Sequence, residues 1–257
     1  MHAIRAALSA GEAIMEVYSN DFKVMQKEDH SPVTLADIKA QEAILPLLQS
    51  FGIPIISEEA ELPDYDIRSS WEEFWLIDPL DGTKEFIHRN GEFTVNIALV
   101  RAGRPVMGVV FSPATDELFA GWVGEGVWNI TSASRSIFDG ISSLSGFELI
   151  VTASSARIHT VAISRSHSDQ STIQYLEKVK IEKGEISVIK AGSSMKFCLV
   201  AISKADEYPR FGPTREWDTA AGHAILLASG KDIYRVSDDS PLTYNQPELL
   251  NPAFIAR

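Results

Sequence analysis

The chain has 257 residues, 45% hydrophobic and 23% charged, enough to bury a sizeable core in one large domain or two modest ones. Lysine and arginine total 23 against 35 acidic residues, a formal net charge of −12, which argues against a nucleic-acid polymer as partner because a phosphate backbone needs a positive face. The single cysteine, Cys198, excludes an intramolecular disulfide and makes a reducing, cytoplasmic setting the natural expectation.

Residues 3–18 place Ile4, Ala7, Leu8, Ile14 and Val17 at helical spacing, with Gly11 the weak position. Glu12 and Glu16 interrupt any long apolar run, so this opening reads as a helix and not as a signal peptide. No stretch approaches the roughly 20 apolar residues that cross a bilayer. Loose attachment to a membrane surface, on the cytoplasmic side of the inner membrane, stays open. A second helix begins near Thr34 and carries Ile38, Ala43, Ile44, Leu47 and Leu48. Ile53-Pro54-Ile55-Ile56 is a short buried strand running into Ser57-Glu58-Glu59. Phe74-Trp75-Leu76-Ile77 is another, running into Asp78, where Pro79 turns the chain.

From Phe93 to Phe119 the pattern is a β-meander: residues 94–100 alternate, 102–105 turn, Val106 to Phe111 returns and 112–115 turn again. Gly124-Glu125-Gly126 marks the next turn. Residues 129–147, rich in serine and glycine, read as a variable loop or a subdomain boundary. Beyond them 161–163 is strand-like, 170–178 helical and 186–190 strand-like. Helices follow at about 194–203 and 217–229, the last stopped by Gly230. There are no repeats. Hairpins between helical segments predict a layered α/β or α+β fold.

Two strands therefore end in acids, Glu58-Glu59 and Asp78. Asp81 follows within a turn, Gly82 lets backbone approach a ligand, and Thr83 adds a hydroxyl. Acids gathered in this way repel one another unless a cation sits among them. Hard oxygen ligands suit Mg²⁺, which binds through a few carboxylates together with phosphate oxygens. The alternative for Asp78-Pro79-Leu80-Asp81-Gly82-Thr83 is an acidic turn capping a helix. No Gly-Lys-Ser/Thr nucleotide loop is present, so a P-loop enzyme is excluded.

Asp78 to Thr83, the Glu-Glu pair about 20 residues earlier, and Trp217-Asp218-Thr219-Ala220-Ala221-Gly222 resemble the inositol monophosphatase superfamily. Asp78 through Val100, Ser164-Arg165-Ser166-His167, Gly192 through Cys198 and Pro209 through Thr214 look like its CysQ-type 3'(2'),5'-bisphosphate nucleotidases. The resemblance spans nearly the whole chain. It implies a layered αβαβα sandwich forming a single phosphatase domain over 1–257. An N-terminal part, about 1–130, would carry the metal site, and a C-terminal part, about 131–257, would complete it.

The resemblance also implies roles. Glu58, Asp78, Asp81, Asp218 and the carbonyl of Leu80 match metal ligands for two or three Mg²⁺ ions, with Glu59 behind them. Asp37 matches the acid that pairs with Thr83 to orient and deprotonate water. Gly82 and Thr83 match phosphate-binding positions, and His167, Ser193, Lys196 and Arg210 match positions that hold the nucleotide. Taken alone, several have plainer readings. Thr34-x-x-Asp37 is a capping box, Asp218 favours the positive end of a helix, and a lone lysine or arginine is surface charge. Lys84 and Arg89 are weaker candidates that offset local acidity, and Cys198 is core. Residues 129–155 and 181–191 match no motif of the family.

The implied reaction removes the 3'-phosphate of adenosine 3',5'-bisphosphate, with the sulfated nucleotide a further substrate, as a step in sulfur metabolism that lithium inhibits. An inositol monophosphatase or broad sugar phosphatase is the alternative enzyme. A non-catalytic metabolite sensor is the alternative of another class. Homodimerisation stays open.

Overall fold

The computed structural model describes residues 1–26, 32–134, 158–166 and 169–257. Small and aliphatic residues of helix α1 (His2–Tyr18) face inward at helical spacing, and helix α2 (Leu35–Gln49) packs alongside through Ala36, Ala40, Ile44 and Leu48. Both lie on a six-stranded sheet built from β3 (Ile55–Ser57), β4 (Glu73–Asp81), β5 (Thr94–Arg101), β6 (Arg104–Ser112), β7 (Glu117–Trp122) and β8 (Gly126–Thr131), in that spatial order. Only the β3–β4 pair is parallel; the remainder is an antiparallel meander. Continuous burial along β4 and β5, where strict alternation would leave one face polar, goes with a sheet covered on both sides. Trp75, Ile77, Val95, Ile97, Val109, Phe111 and Leu118 point to α1 and α2, while Phe74, Leu76, Ala98, Val100, Val110 and Phe119 point to the opposite face. Gly11 is less a weakness than a requirement, since a Cβ there would stand 2.3 Å from the Phe111 ring.

The opposite face is covered by α6 (Met195–Ala201) and α7 (Glu216–Ala228), whose buried side includes Cys198, Ala220, Ala221 and Ile225. Their outer side meets small sheets: β9 (His159–Ser164) parallel to β10 (Ile186–Ala191), and β11 (Tyr208–Arg210), β15 (Phe254–Ala256) and β13 (Ile233–Arg235). Helix α5 (Gln170–Lys183) closes this layer through Tyr175, Leu176 and Val179. The order is helix, sheet, helix, sheet, helix, the αβαβα sandwich expected from the resemblance.

At Gly108 of β6 a Cβ would lie 2.2 Å from the Ala221 carbonyl oxygen of α7, with backbone on both sides and nothing to yield. Gly108→Ala should therefore push α7 off the sheet and destabilise the fold by about 1–3 kcal/mol. An unchanged denaturant midpoint would contradict that packing argument.

Several boundaries differ from the sequence expectation. Residues 129–131 complete β8, because Asn129 and Thr131 pair across to Phe119 and Glu117; residues 135–147 of the expected loop lie outside the described residues. The strands at 208–210, 233–235 and 254–256, with β12 (Thr214–Arg215) and β14 (Leu250–Asn251), are too short to carry a period. Among the described residues no helix is long and apolar enough to cross a membrane.

Candidate active site

Parallel pairing of β3 with β4 aligns Ser57 with Ile77, so both strands release an acid at one sheet edge. Glu58 follows there, its amide donating to the Ile77 carbonyl at 3.2 Å. Asp78 is the next residue of β4. The chain does not turn at Pro79, as the sequence suggests, but continues as strand to Asp81 with one extra residue against β5: Asp78 faces Asn96, and Asp81 faces Thr94. Pro79 fits that bulge because it has no ladder hydrogen to donate. The insertion has a consequence for the site. In a regular strand residues 78 and 81 would face opposite sides; the extra residue turns both carboxylates to the side of α6 and α7.

Asp218 arrives from that side, in the first turn of α7, with its Oδ2 accepting the Arg215 amide at 2.8 Å. Glu58, Asp78 and Asp218 each offer an oxygen within 4.8 Å of the others. Burial first, then Glu58, Asp81, Asp218 and Glu59, push the Asp78 carboxyl well above the usual range. The same happens to Asp218 through burial, Asp81 and Glu58. Asp81 is also raised by burial, although Lys196 and hydrogen bonds from Ser194 and Asn96 oppose the shift. Such a set of hard oxygens, crowded enough to repel one another, fits a divalent cation. Glu59 follows Glu58 in the chain, and its backbone carbonyl accepts the side-chain amide of Gln41 of α2 at 2.8 Å.

Asp37 serves two masters with its two oxygens. Oδ2 accepts the Thr34 amide and hydroxyl, both at 2.7 Å, which is the capping box; Oδ1 accepts the Thr83 hydroxyl at 3.2 Å. The two readings of this residue are thus compatible. Thr83 opens the short helix α4 (Thr83–Ile87), entered through Gly82 at φ 92°, a left-handed conformation that glycine adopts at little cost.

Glu58, Asp78, Asp81, Thr83 and Asp218 line a cleft of about 510 Å³, which also reaches Ser193, Lys196, Arg210 and Arg215. Ser193 sits at φ 39° with its hydroxyl 2.9 Å from that of Thr94. Lys196 is nearly inaccessible and donates to the carbonyls of Ala191 and Ser193; burial brings its pKa down to about 8 despite Asp81. Arg210 donates to the Pro213 carbonyl at 3.2 Å, and its buried Nε has no partner among the described residues. His167 lies outside the described residues.

The sequence reading missed three buried polar groups here. Asn96 interrupts an apolar strand and Ser194 starts an apolar helix, and a polar residue in an apolar run was the available signal. Glu216 is the third. It accepts the amides of Asn245 and Gln246 at 2.7 and 2.8 Å, and burial pushes its pKa up to about 7.

A model of the inositol monophosphatase family matches residues 1–255. The 3'(2'),5'-bisphosphate nucleotidase CysQ of Escherichia coli K12 is 43% identical over 253 residues, covering 96% of this chain and 95% of that protein. The CysQ of Haemophilus influenzae is 33% identical over 252 residues, 97% and 88% of the two chains. The crystal structure of CysQ from Bacteroides thetaiotaomicron, a bacterial member of the inositol monophosphatase family, matches with a TM-score of 0.87 at 44% identity, over 100% of this chain and 96% of that one.

Proposed function

The chain belongs to the inositol monophosphatase family, and on that footing we propose that it is a Mg²⁺-dependent 3'(2'),5'-bisphosphate nucleotidase. Its substrate is adenosine 3',5'-bisphosphate, and its products are AMP and phosphate. The convergence of Glu58, Asp78 and Asp218 within 4.8 Å, beside the Asp37–Thr83 pair, carries the reading. The name of the relatives at 33–44% identity supplies the substrate.

Glu58, Asp78, Asp81, Asp218 and the Leu80 carbonyl would hold two or three Mg²⁺ ions. When bound, these supply a more acidic water and charge neutralisation on the phosphoryl oxygens. Thr83 Oγ1 positions the attacking water. As the water oxygen bonds to phosphorus, its proton passes to Thr83 Oγ1, while the proton of Thr83 moves to Asp37 Oδ1. The bond from phosphorus to the ribose 3' oxygen breaks, and that oxygen is protonated by solvent. The amides of Gly82 and Thr83 hold phosphate oxygens. Ser193, Lys196, Arg210 and His167 hold the nucleoside and its second phosphate. Glu59 steadies the acids from behind.

In this reading the N-terminal part, to about residue 130, brings most of the metal ligands, and the C-terminal part brings Asp218 and the nucleotide contacts. A cytoplasmic role in sulfur metabolism, turnover of the 3'-phosphoadenylyl sulfate, and inhibition by lithium go with it. The test compares release of phosphate from adenosine 3',5'-bisphosphate, inositol 1-phosphate and fructose 1,6-bisphosphate, with and without Mg²⁺. The expected order puts the nucleotide at least about tenfold ahead in kcat/KM, since two desolvated phosphate contacts each contribute about 1.5–3 kcal/mol. A preference for either sugar phosphate would move the enzyme to the alternative substrate class. Absence of any turnover would favour a sensor.

A further inference from the structure

We propose that Ser194 is a positioning residue that locks the two halves of the acid cluster together and thereby sets its affinity for divalent cations. The inference rests on the metal-dependent reading above. Its basis is the place of one hydroxyl. Ser194 is buried at the start of α6, and its Oγ lies 2.9 Å from Oδ2 of Asp81 on β4 and 2.7 Å from the carbonyl oxygen of Asp218 on α7. The same Oγ accepts the side-chain amide of Asn96 on β5 at 2.9 Å. Asn96 in turn reaches Asp81 Oδ2 at 3.4 Å, and its own oxygen accepts the Thr94 hydroxyl at 3.0 Å.

Three elements therefore meet on one atom. Asp81 belongs to the large sheet and Asp218 to the helix laid across it, and Ser194 Oγ touches both residues close to the acids. A hydroxyl is suited to the junction because it has one proton and two lone pairs. Its one proton is shared between Asp81 Oδ2 and the backbone carbonyl of Asp218, and a lone pair accepts from Asn96, whose oxygen accepts from Thr94. The chain of bonds is buried throughout: Thr94, Asn96 and Ser194 are each 0–1% exposed. In a site of low dielectric, each bond to a carboxylate counts for more than at the surface. A carboxylate oxygen so held cannot swing freely when its neighbours repel it, so Asp81 keeps one orientation on the wall of the cleft that Glu58, Asp78 and Asp218 also line. The usual effect of losing such an outer contact to a ligating carboxylate is a 10- to 100-fold fall in metal affinity.

The experiment measures Mg²⁺ and Mn²⁺ binding to the full chain by calorimetry, with metal-induced shifts in melting temperature as a second readout that needs no substrate. Ser194→Ala removes the hydroxyl and little else, whereas Ser194→Thr keeps it. The expected result is a dissociation constant raised at least about tenfold in the alanine variant and restored by threonine. The melting temperature of the metal-free protein should change far less. Equal affinities in all three proteins overturn the proposal. So does an equal loss in both variants, which would mean that only the shape of the serine matters. Should the alanine variant fail to fold, Ser194→Cys offers a weak donor of similar size, and the same comparison with threonine decides. Failure of the metal reading itself looks different: the unaltered protein would show no heat of binding and no thermal shift.

Discussion

Asp78→Asn is expected to lose turnover by about a thousandfold or more while making the metal-free protein more stable near pH 8. The first half follows from the proposed ligand role: an amide offers one neutral oxygen where a carboxylate brought charge, and metal-assisted catalysis depends on that charge. The second half follows from the direction of the pKa shifts. Asp78, Asp81 and Asp218 are all raised above the ordinary carboxylate value in the folded chain. Above that ordinary value the folded state binds more protons than the unfolded state. Stability is therefore fully present at low pH and falls as the pH climbs through the raised folded values. Mg²⁺ should remove this slope, because it replaces the protons as the neutralising charge. Melting curves of the unaltered protein and of Asp78→Asn at pH 5 and pH 8, each with and without Mg²⁺, check both halves. A melting temperature of the metal-free protein that rises between pH 5 and pH 8 would contradict the assignment.

Much of this site is written in the sequence, but not its assembly. The acids at 58, 78 and 218 are legible as residues that follow apolar strands or open an apolar helix, and the family motifs give them an order. Two geometric facts are not legible. One is the extra residue between Asp78 and Asp81, which sends both side chains the same way. A period-2 pattern cannot show it, because proline and leucine read equally well as a turn. The other is the split use of Asp37, whose capping signature in Thr34-x-x-Asp37 is local and complete in itself. Its second oxygen meets Thr83 only because α2 packs beside the end of β4, a contact 46 residues distant in the chain. The core was readable for a similar reason in reverse. Long apolar runs in β4 to β7 supply both faces of the sheet, whereas the two- and three-residue strands of the C-terminal part owe their form to tertiary pairing alone.

Thr83→Ala should lower kcat by about 10²- to 10⁴-fold, the range typical of a lost proton-transfer group, and leave Mg²⁺ affinity close to that of the unaltered protein. The hydroxyl donates to Asp37 and Thr83 lines the cleft, so in the proposed mechanism its removal deprives the water of an acceptor while leaving Glu58, Asp78, Asp81 and Asp218 in place. Asp37→Asn should show a fall of the same order for a more informative reason. The asparagine oxygen can still accept the Thr34 amide, which keeps the helix start. Its NH₂ then faces Thr83 and reverses that hydrogen bond, so the proton of Thr83 points at the water it should receive from. The stability cost is expected to stay near 1 kcal/mol, the worth of a helix cap. In the proposed mechanism the two residues act as one relay, so the double variant should be little slower than either single one. Multiplying effects in the double variant would separate the residues mechanistically, and a kcat within threefold of normal in Thr83→Ala would leave Asp37 with its capping role alone.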